Sequence, residues 1–144
     1  MHGLSDNLEV RVVGAPVAAG SSIDNNSSRI DMDGYESVMF IAPITDSVQN
    51  GVATLTIEQN TADSDSGMAA VSGSAATDTS AANDDLNDKC LRSEVFKPTQ
   101  RYVQAVRTSS AANIAYGSLI AVLKPLRKPV TDHSTVLATS YVAN

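Results

Sequence analysis

Residues 100–130 constrain the fold more than any other part of the chain. Their sequence, QRYVQAVRTSSAANIAYGSLIAVLKPLRKPV, contains two segments of strand character joined by small residues. Residues 101–108 alternate with a period of two, as a pleated strand with one buried face does. Residues 114–124 are apolar on both faces, which is typical of a central strand covered on both sides. Pro125 and Pro129 cannot donate a ladder hydrogen bond, so we expect the strand to end there and an arm to follow.

Four further segments have strand character: residues 8–13, 37–44, 52–59 and 89–96. Pro43 predicts that the second of these ends at a sheet edge or a bulge, because proline has no N–H for a ladder. Asn50 and Gly51 both tolerate positive φ. The pair therefore predicts a type I′ hairpin between the strands that flank it.

The strand count reaches seven or eight, with turn signals about every ten residues and no convincing amphipathic helix. This pattern predicts an all-β fold: an antiparallel β-sandwich, with a jelly roll as the expected connectivity and extended terminal arms. We expect one domain over residues 1–124 and a C-terminal arm over residues 125–144.

Residues 60–88 have a different composition from the rest of the chain. They are dense in Ala, Ser, Thr, Asp and Gly, and Met68, Val71 and Leu86 are their only sizeable apolar side chains. We interpret this segment as a long surface excursion with one weak strand near residues 68–73. A short helical turn and a loop are both compatible with residues 81–91.

Charge is distributed unevenly along the chain. Residues 1–88 carry 14 acidic and 2 basic side chains, a net of −12, and residues 89–144 carry 2 acidic and 8 basic side chains, a net of +6, which together give the total of −6. These charges either pair across strands within the fold or leave a basic end that docks on an acidic neighbour. The overall acidity and the scattered basic residues argue against direct contact with nucleic acid.

Composition also bears on association and location. Aromatic residues make up 4% of the chain and Trp is absent, so the core depends on small aliphatic side chains. A domain with so thin a core often gains stability by association, which predicts an oligomer or attachment to a larger surface. No apolar run approaches the roughly 20 residues of a membrane span, and the first residues lack the pattern of an export signal, so we expect no contact with a membrane.

The inventory of reactive side chains is poor. His2 and His133 lie in the expected arms, where a fixed proton-transfer geometry is hard to hold. We interpret Cys90 as a small core residue. Asp63 and Asp65 precede a glycine turn, but no glutamate follows where a calcium loop would close, and a second acidic cluster at residues 84–88 has the same defect. We therefore expect a protein that is not an enzyme and holds no metal or cofactor.

The region 100–130 resembles the C-terminal hairpin and exit of small all-β cement or decoration proteins of tailed-bacteriophage heads. The matching residues are Arg101, Tyr102, Val103 and Val106 in the first strand, Gly117, Ser118, Ile120 and Ala121 in the second, and Arg127, Lys128, Pro129 and Val130 in the exit. The resemblance implies a trimer bound to the major capsid protein on the outside of the head, assembled in the host bacterial cytoplasm. A head–tail connector or tail-tube subunit and a carbohydrate- or receptor-binding module remain alternatives.

Seven residues near the exit are candidates for contact with a neighbouring subunit. Three are basic and would face an acidic surface, and four are apolar anchors in a segment too poor in core pattern to fold alone. The alternative is that this segment straps back over the core of its own chain. The candidates are Lys124, Arg127, Lys128, Val130, Val136, Leu137 and Tyr141.

Overall fold

The computed structural model describes residues 3–143 and shows two antiparallel β-sheets packed face to face, with one helical turn at the start. Met1, His2 and Asn144, which belong to the expected arms, lie outside the described residues. The elements are α1 (Leu4–Asn7), β1 (Glu9–Gly14), β2 (Val17–Gly20), β3 (Asp24–Asn26), β4 (Ile30–Asp31), β5 (Tyr35–Ser47), β6 (Val52–Asn60), β7 (Ala69–Ala70), β8 (Ala76–Thr79), β9 (Cys90–Phe96), β10 (Tyr102–Ser110), β11 (Ile114–Tyr116) and β12 (Leu119–Pro125).

Sheet I is organised around β5. On one side of β5 lie β12 and then β11, and these continue outward to β1 and β2; on the other side lies β9. Sheet II has the order β3-β10-β6-β7, with β4 also on β10 and β8 also on β6. The predicted all-β antiparallel sandwich is confirmed, and the jelly-roll connectivity stays a prediction.

The core lies between the sheets and is built by the alternation of inward side chains. In β6, Ala53, Leu55 and Ile57 are all fully buried, as the period of two predicts. Phe40 and Leu123 oppose them from sheet I and are also fully buried. The small aliphatic core expected from the composition is therefore the one that forms.

The Asn50-Gly51 turn does not make a hairpin. Asn50 adopts the expected positive φ of 71°, but Gly51 is not in the positive-φ region that a type I′ turn requires at its second position. The strands on either side, β5 and β6, belong to different sheets. The turn therefore carries the chain from sheet I to sheet II.

The two C-terminal strands also differ from the expected pair. Residues 114–124 form two strands, β11 and β12, separated at Gly117 and Ser118. Both pair with β5 in sheet I, whereas β10 lies in sheet II, so the expected C-terminal hairpin is wrong. β12 ends at Pro125 as predicted.

Pro43 lies inside β5 and not at its end. β12 pairs with β5 up to Ile41 and β11 begins to pair at Ile44, so Pro43 falls in the gap between these two partners. The missing N–H of Pro43 therefore costs no ladder bond, and its carbonyl accepts from the Gly117 N–H at 2.9 Å.

The expectation that β10 is buried on one face only is wrong, because Gln104 and Val106 on its outer face are buried as well. Arg107 lies on the inner face of the strand. It is fully buried and is the largest such side chain. Its guanidinium donates to the carbonyls of Gly117 (2.6 Å) and Ala15 (2.7 Å) and to Oδ1 of Asn25 (2.8 Å), and it lies over the Tyr116 ring. Burial raises the pKa of Tyr116 to about 12. Arg107 thus ties four segments of the chain together, and among the described residues it has no carboxylate partner.

The excursion, residues 60–88, carries two short strands. β7 and β8 both extend sheet II from β6, and the weak strand expected near residues 68–73 corresponds to β7, whereas β8 was not foreseen. Leu86 reaches the core with 3% exposure. Residues 82–88 form turns rather than a helix, and Asp84 and Asp88 have positive φ.

Candidate interaction surface

The outer face of sheet I is aliphatic across three strands. Residues that are directly opposite in an antiparallel ladder lie on the same face of the sheet. Val10 pairs with Val122, and Val12 pairs with Ile120. Val122 pairs in turn with Met39, and Ile120 with Ile41. Because Leu123 and Ala121, the alternate residues of β12, are buried in the core, this set points away from it. We call Val10, Val12, Met39, Ile41, Ile120 and Val122 the apolar face.

None of the six residues of the apolar face is buried. Val10 is 42% and Val12 43% exposed, and the other four are partly exposed. The expectation that residues 114–124 are covered on both sides holds for β11, whose three residues are all buried, and is wrong for β12, which sheet II covers on its inner side alone. A contiguous aliphatic surface of this kind is typical of a site that another molecule covers.

The arm crosses the edge of sheet I next to the apolar face. In the described part, residues 125–143 contain no helix or strand. The Val12 N–H donates to Oγ1 of Thr135 at 3.1 Å, and the Val130 N–H donates to the Asp6 carbonyl at 3.3 Å. The Tyr141 ring lies against Gly3. The arm thus straps back onto β1 and α1, the second of the two arrangements considered for it. Leu4–Asn7, expected to be extended, forms the helical turn α1.

The seven candidate contact residues separate into two groups. Lys124 is the penultimate residue of β12 and pairs with Glu36 at 2.8 Å, which holds the pKa of that carboxyl below its ordinary value. Val130 and Val136 are partly buried. The other four lie on the arm and are exposed: Arg127, Lys128, Leu137, which is 98% exposed, and Tyr141, whose ring also contacts Gly3.

An open cleft of about 710 Å³ separates the arm from the end of the sandwich. Its lining includes Glu9, Tyr35, Arg127 and His133. Glu9 is buried and accepts from Arg11 at 3.1 Å, and Arg11 also donates to the Tyr35 hydroxyl at 2.9 Å. Burial and the hydrogen bond with Glu9 raise the pKa of Tyr35. The Glu9 carboxylate and the Tyr35 hydroxyl thus bind Arg11 and join β1 to β5, whereas the buried Nε of Arg11 has no hydrogen-bond partner among the described residues.

Several of the ion pairs join the acidic first part of the chain to the basic second part. Arg101 of β10 binds Asp31 of β4 through two nitrogens, at 2.8 and 2.9 Å. This bidentate bond holds the pKa of Asp31 at about 2. Together with the pair of Lys124 and Glu36, this supports the interpretation that the charges pair across strands. Arg127 and Lys128 form no ion pair within the described chain and remain available for a partner.

Two carboxylates of the acidic excursion bind an arginine elsewhere in the same chain. Asp63 and Asp65 both bind Arg29, at 2.6 and 2.9 Å. Within residues 3–143 no group of three or more His, Cys, Asp or Glu side chains could hold a metal ion. His133 lies in the arm, where its Nδ1 lies 2.9 Å from Oγ1 of Thr135.

Cys90 is exposed, so its interpretation as a core residue is wrong. It begins β9, where Leu91, Ser93 and Val95 point inward and the alternate residues point outward. The alternation of the segment was clear, but Cys90 belongs to its outer set.

The aromatic side chains do not gather on one exposed face. Phe40 and Tyr116 are buried in the core, and Tyr35 is engaged by Arg11. The remaining rings lie on separate elements: Phe96 on β9, Tyr102 on β10 and Tyr141 on the arm.

In the part of the chain that is described, no helix is long and apolar enough to cross a membrane. No family model matches the chain, and no curated protein matches it significantly. The likeness to decoration proteins stays a prediction.

Proposed function

We propose that this protein is a non-enzymatic structural subunit of a tailed-phage head. In this proposal it is a cement or decoration protein that attaches to the outside of the capsid and bridges neighbouring major capsid subunits. The observation that carries the proposal is the apolar face, a solvent-facing aliphatic surface with no covering element of its own. An attachment protein requires such a surface because burial of apolar area drives association.

The arm supports the same function. It runs beside the apolar face and presents exposed aliphatic and basic side chains, among them Leu137, Arg127 and Lys128. Apolar contacts would supply affinity, and the cations would orient the subunit on an acidic capsid surface. The resemblance of residues 100–130 supports a trimer assembled in the host cytoplasm and located on the virion exterior.

The test is co-sedimentation of the purified protein with phage heads that lack it. We expect saturable attachment of the wild-type chain. The double variant R127E/K128E should attach more weakly, and the difference should grow at low salt, where charges are less screened. The variant R127K/K128R keeps both charges and serves as the matched control, with attachment like the wild type.

Two outcomes would contradict the proposal. The first is the absence of any saturable attachment of the wild-type chain to heads. The second is assembly of the chain alone into a large closed ring, which would favour a connector or tail-tube subunit. Equal attachment of both double variants would remove the electrostatic part of the account only.

A further inference from the structure

The edge strands of the two sheets differ in how they are protected. β2, β3 and β8 have only three or four residues, and β1 is crossed by the arm. Short or covered edges are the usual ways in which proteins prevent sheets from joining. β9 is the exception, since it has seven residues and pairs with β5 alone.

The register of β9 on β5 shows which backbone groups of β9 are free. The Lys97 N–H donates to the Glu36 carbonyl, and the Ile44 N–H donates to the Lys89 carbonyl, so these flanking pairs are hydrogen-bonded. In an antiparallel ladder, hydrogen-bonded pairs alternate with non-bonded ones. The N–H and C=O groups of four residues therefore point to the open edge: Cys90, Arg92, Glu94 and Phe96.

We propose that β9 pairs antiparallel with β9 of a second copy of this chain, across a two-fold axis at Ser93. This register places Arg92 opposite Glu94 of the second copy and Glu94 opposite its Arg92. It also brings together the free N–H and C=O groups of both strands, about eight backbone hydrogen bonds in all. The two copies of sheet I become one continuous sheet.

The charges select this register over its neighbours. Moving the axis by one residue to Arg92 would place two arginines opposite each other, and moving it to Glu94 would place two glutamates opposite each other. Like charges directly opposite destabilise a ladder, and opposite charges stabilise it. Arg92 and Glu94 are both exposed and neither has an ion pair in the described chain, so both are available to a second copy.

The residues that flank β9 do not extend the pairing between the two copies beyond the strand. Lys89 would otherwise face Lys97 of the second copy. However, the ammonium group of Lys89 lies 3.7 Å from the Asp85 carboxylate, and Lys97 leaves the strand with a φ of 51°. This two-fold contact goes beyond the proposed attachment to capsids and is independent of the three-fold association.

A disulfide between the two copies tests the proposed register of the β9 pair directly. In the proposed pairing Cys90 lies opposite residue 96 of the second copy, in a hydrogen-bonded pair with Cα atoms about 5.5 Å apart. That distance suits a disulfide. Within one chain the two positions are about 20 Å apart along the strand and cannot be bridged. The variant F96C should therefore form a covalent dimer under mild oxidation, read on a non-reducing gel and by intact mass.

The control is D78C. This variant keeps the native Cys90 and places a second cysteine on the exposed edge strand β8 of sheet II. We expect at least about tenfold more covalent dimer from F96C than from D78C. Equal yields would overturn the proposal. A F96C dimer that carries one disulfide instead of two would also overturn it, because the two-fold axis requires both.

Charge variants without cysteine chemistry provide a second test, with self-association measured by sedimentation. R92E and E94R should each weaken the dimer, since each places like charges opposite, and R92E/E94R should restore it. Wild-type chain that stays monomeric at tens of micromolar, or a double variant as weak as the single ones, would contradict the proposal. Attachment to heads measured in parallel separates this result from the proposed function.

Discussion

The outer faces of the two sheets contrast, although both sheets bury their inner faces in the same core. On sheet I the outer face of β1, β12 and β5 is the apolar face. On sheet II most of the corresponding positions are polar, with Val106 as a buried exception, and several of them pair: the Gln104 amide donates to Glu58 at 2.8 Å, and the hydroxyls of Thr54 and Thr77 lie 2.8 Å apart. Polar side chains on the outer face of sheet II therefore hydrogen-bond one another. The aliphatic outer face of sheet I, in contrast, can be removed from water only by another molecule.

Phe40 and Ile41 give the largest expected effect, because they are neighbours on β5 that point to opposite faces. Phe40 is fully buried, so F40A should lower the free energy of unfolding by about 3–5 kcal/mol. Ile41 is partly exposed, and I41A should cost about 1 kcal/mol in the dilute protein. Urea denaturation at low concentration measures both. Equal losses would mean that the outer face of sheet I is already covered within the chain.

A charge placed on each outer face gives the next largest effect. V122K puts an ammonium group in the middle of the apolar face and should weaken attachment to heads by at least about tenfold, because that charge would be desolvated on binding. T56K places the same group on the outer face of sheet II and should leave attachment unchanged. Co-sedimentation measures both variants. If V122K attaches like T56K, the contrast between the faces has no role in binding.

The sequence predicted the structure correctly where the residue pattern of one strand is sufficient. The alternation in residues 52–59 predicted the inward set of β6 because a period of two depends only on the strand itself. The Asn50-Gly51 turn misled because a turn signal does not tell which sheet the next strand joins. Arg107 could not be placed either, since its partners at Ala15, Asn25 and Gly117 are brought together only by the complete fold.

The sequence indicated only part of the apolar face. The apolar character of residues 114–124 on both faces was the available signal, and it was interpreted as double coverage. Val10, Val12, Met39 and Ile41 join that surface through the ladder register, which a single sequence does not specify. The arm residues were recognised as candidates, but their return onto β1 depends on Thr135, which carried no signal.

The excursion that extends sheet II should tolerate loss of charge. D63N/D65N removes both partners of Arg29, an exposed set of ion pairs, and should change the free energy of unfolding by less than about 1 kcal/mol. Calcium should have no effect on either protein. Thermal denaturation with and without calcium tests this, and a stabilisation by calcium that the double variant loses would show a cation site instead.

The smallest expected effect concerns the pair of Asp31 and Arg101 in sheet II. The folded pKa of Asp31 is about 2, below the ordinary value of 3.8. Its contribution is therefore fully present above about pH 4 and is lost as the pH falls toward 2. The melting temperature of D31N should lie slightly below that of the wild type at pH 5, and the two should converge near pH 2. A gap that persists at pH 2 would assign the effect to packing instead of charge.

Oxidation of methionine tests the central claim, that another molecule covers the apolar face, most directly. Met39 lies on that face, Met68 lies in the excursion and Met32 is buried in the core, so one chain carries the probe and two controls. Peroxide converts exposed methionine to the sulfoxide, which peptide mass spectrometry quantifies. In the free protein Met39 and Met68 should oxidise and Met32 should not. On attachment to heads Met39 should become protected while Met68 continues to react. Equal oxidation of Met39 in the free and attached protein would contradict the account.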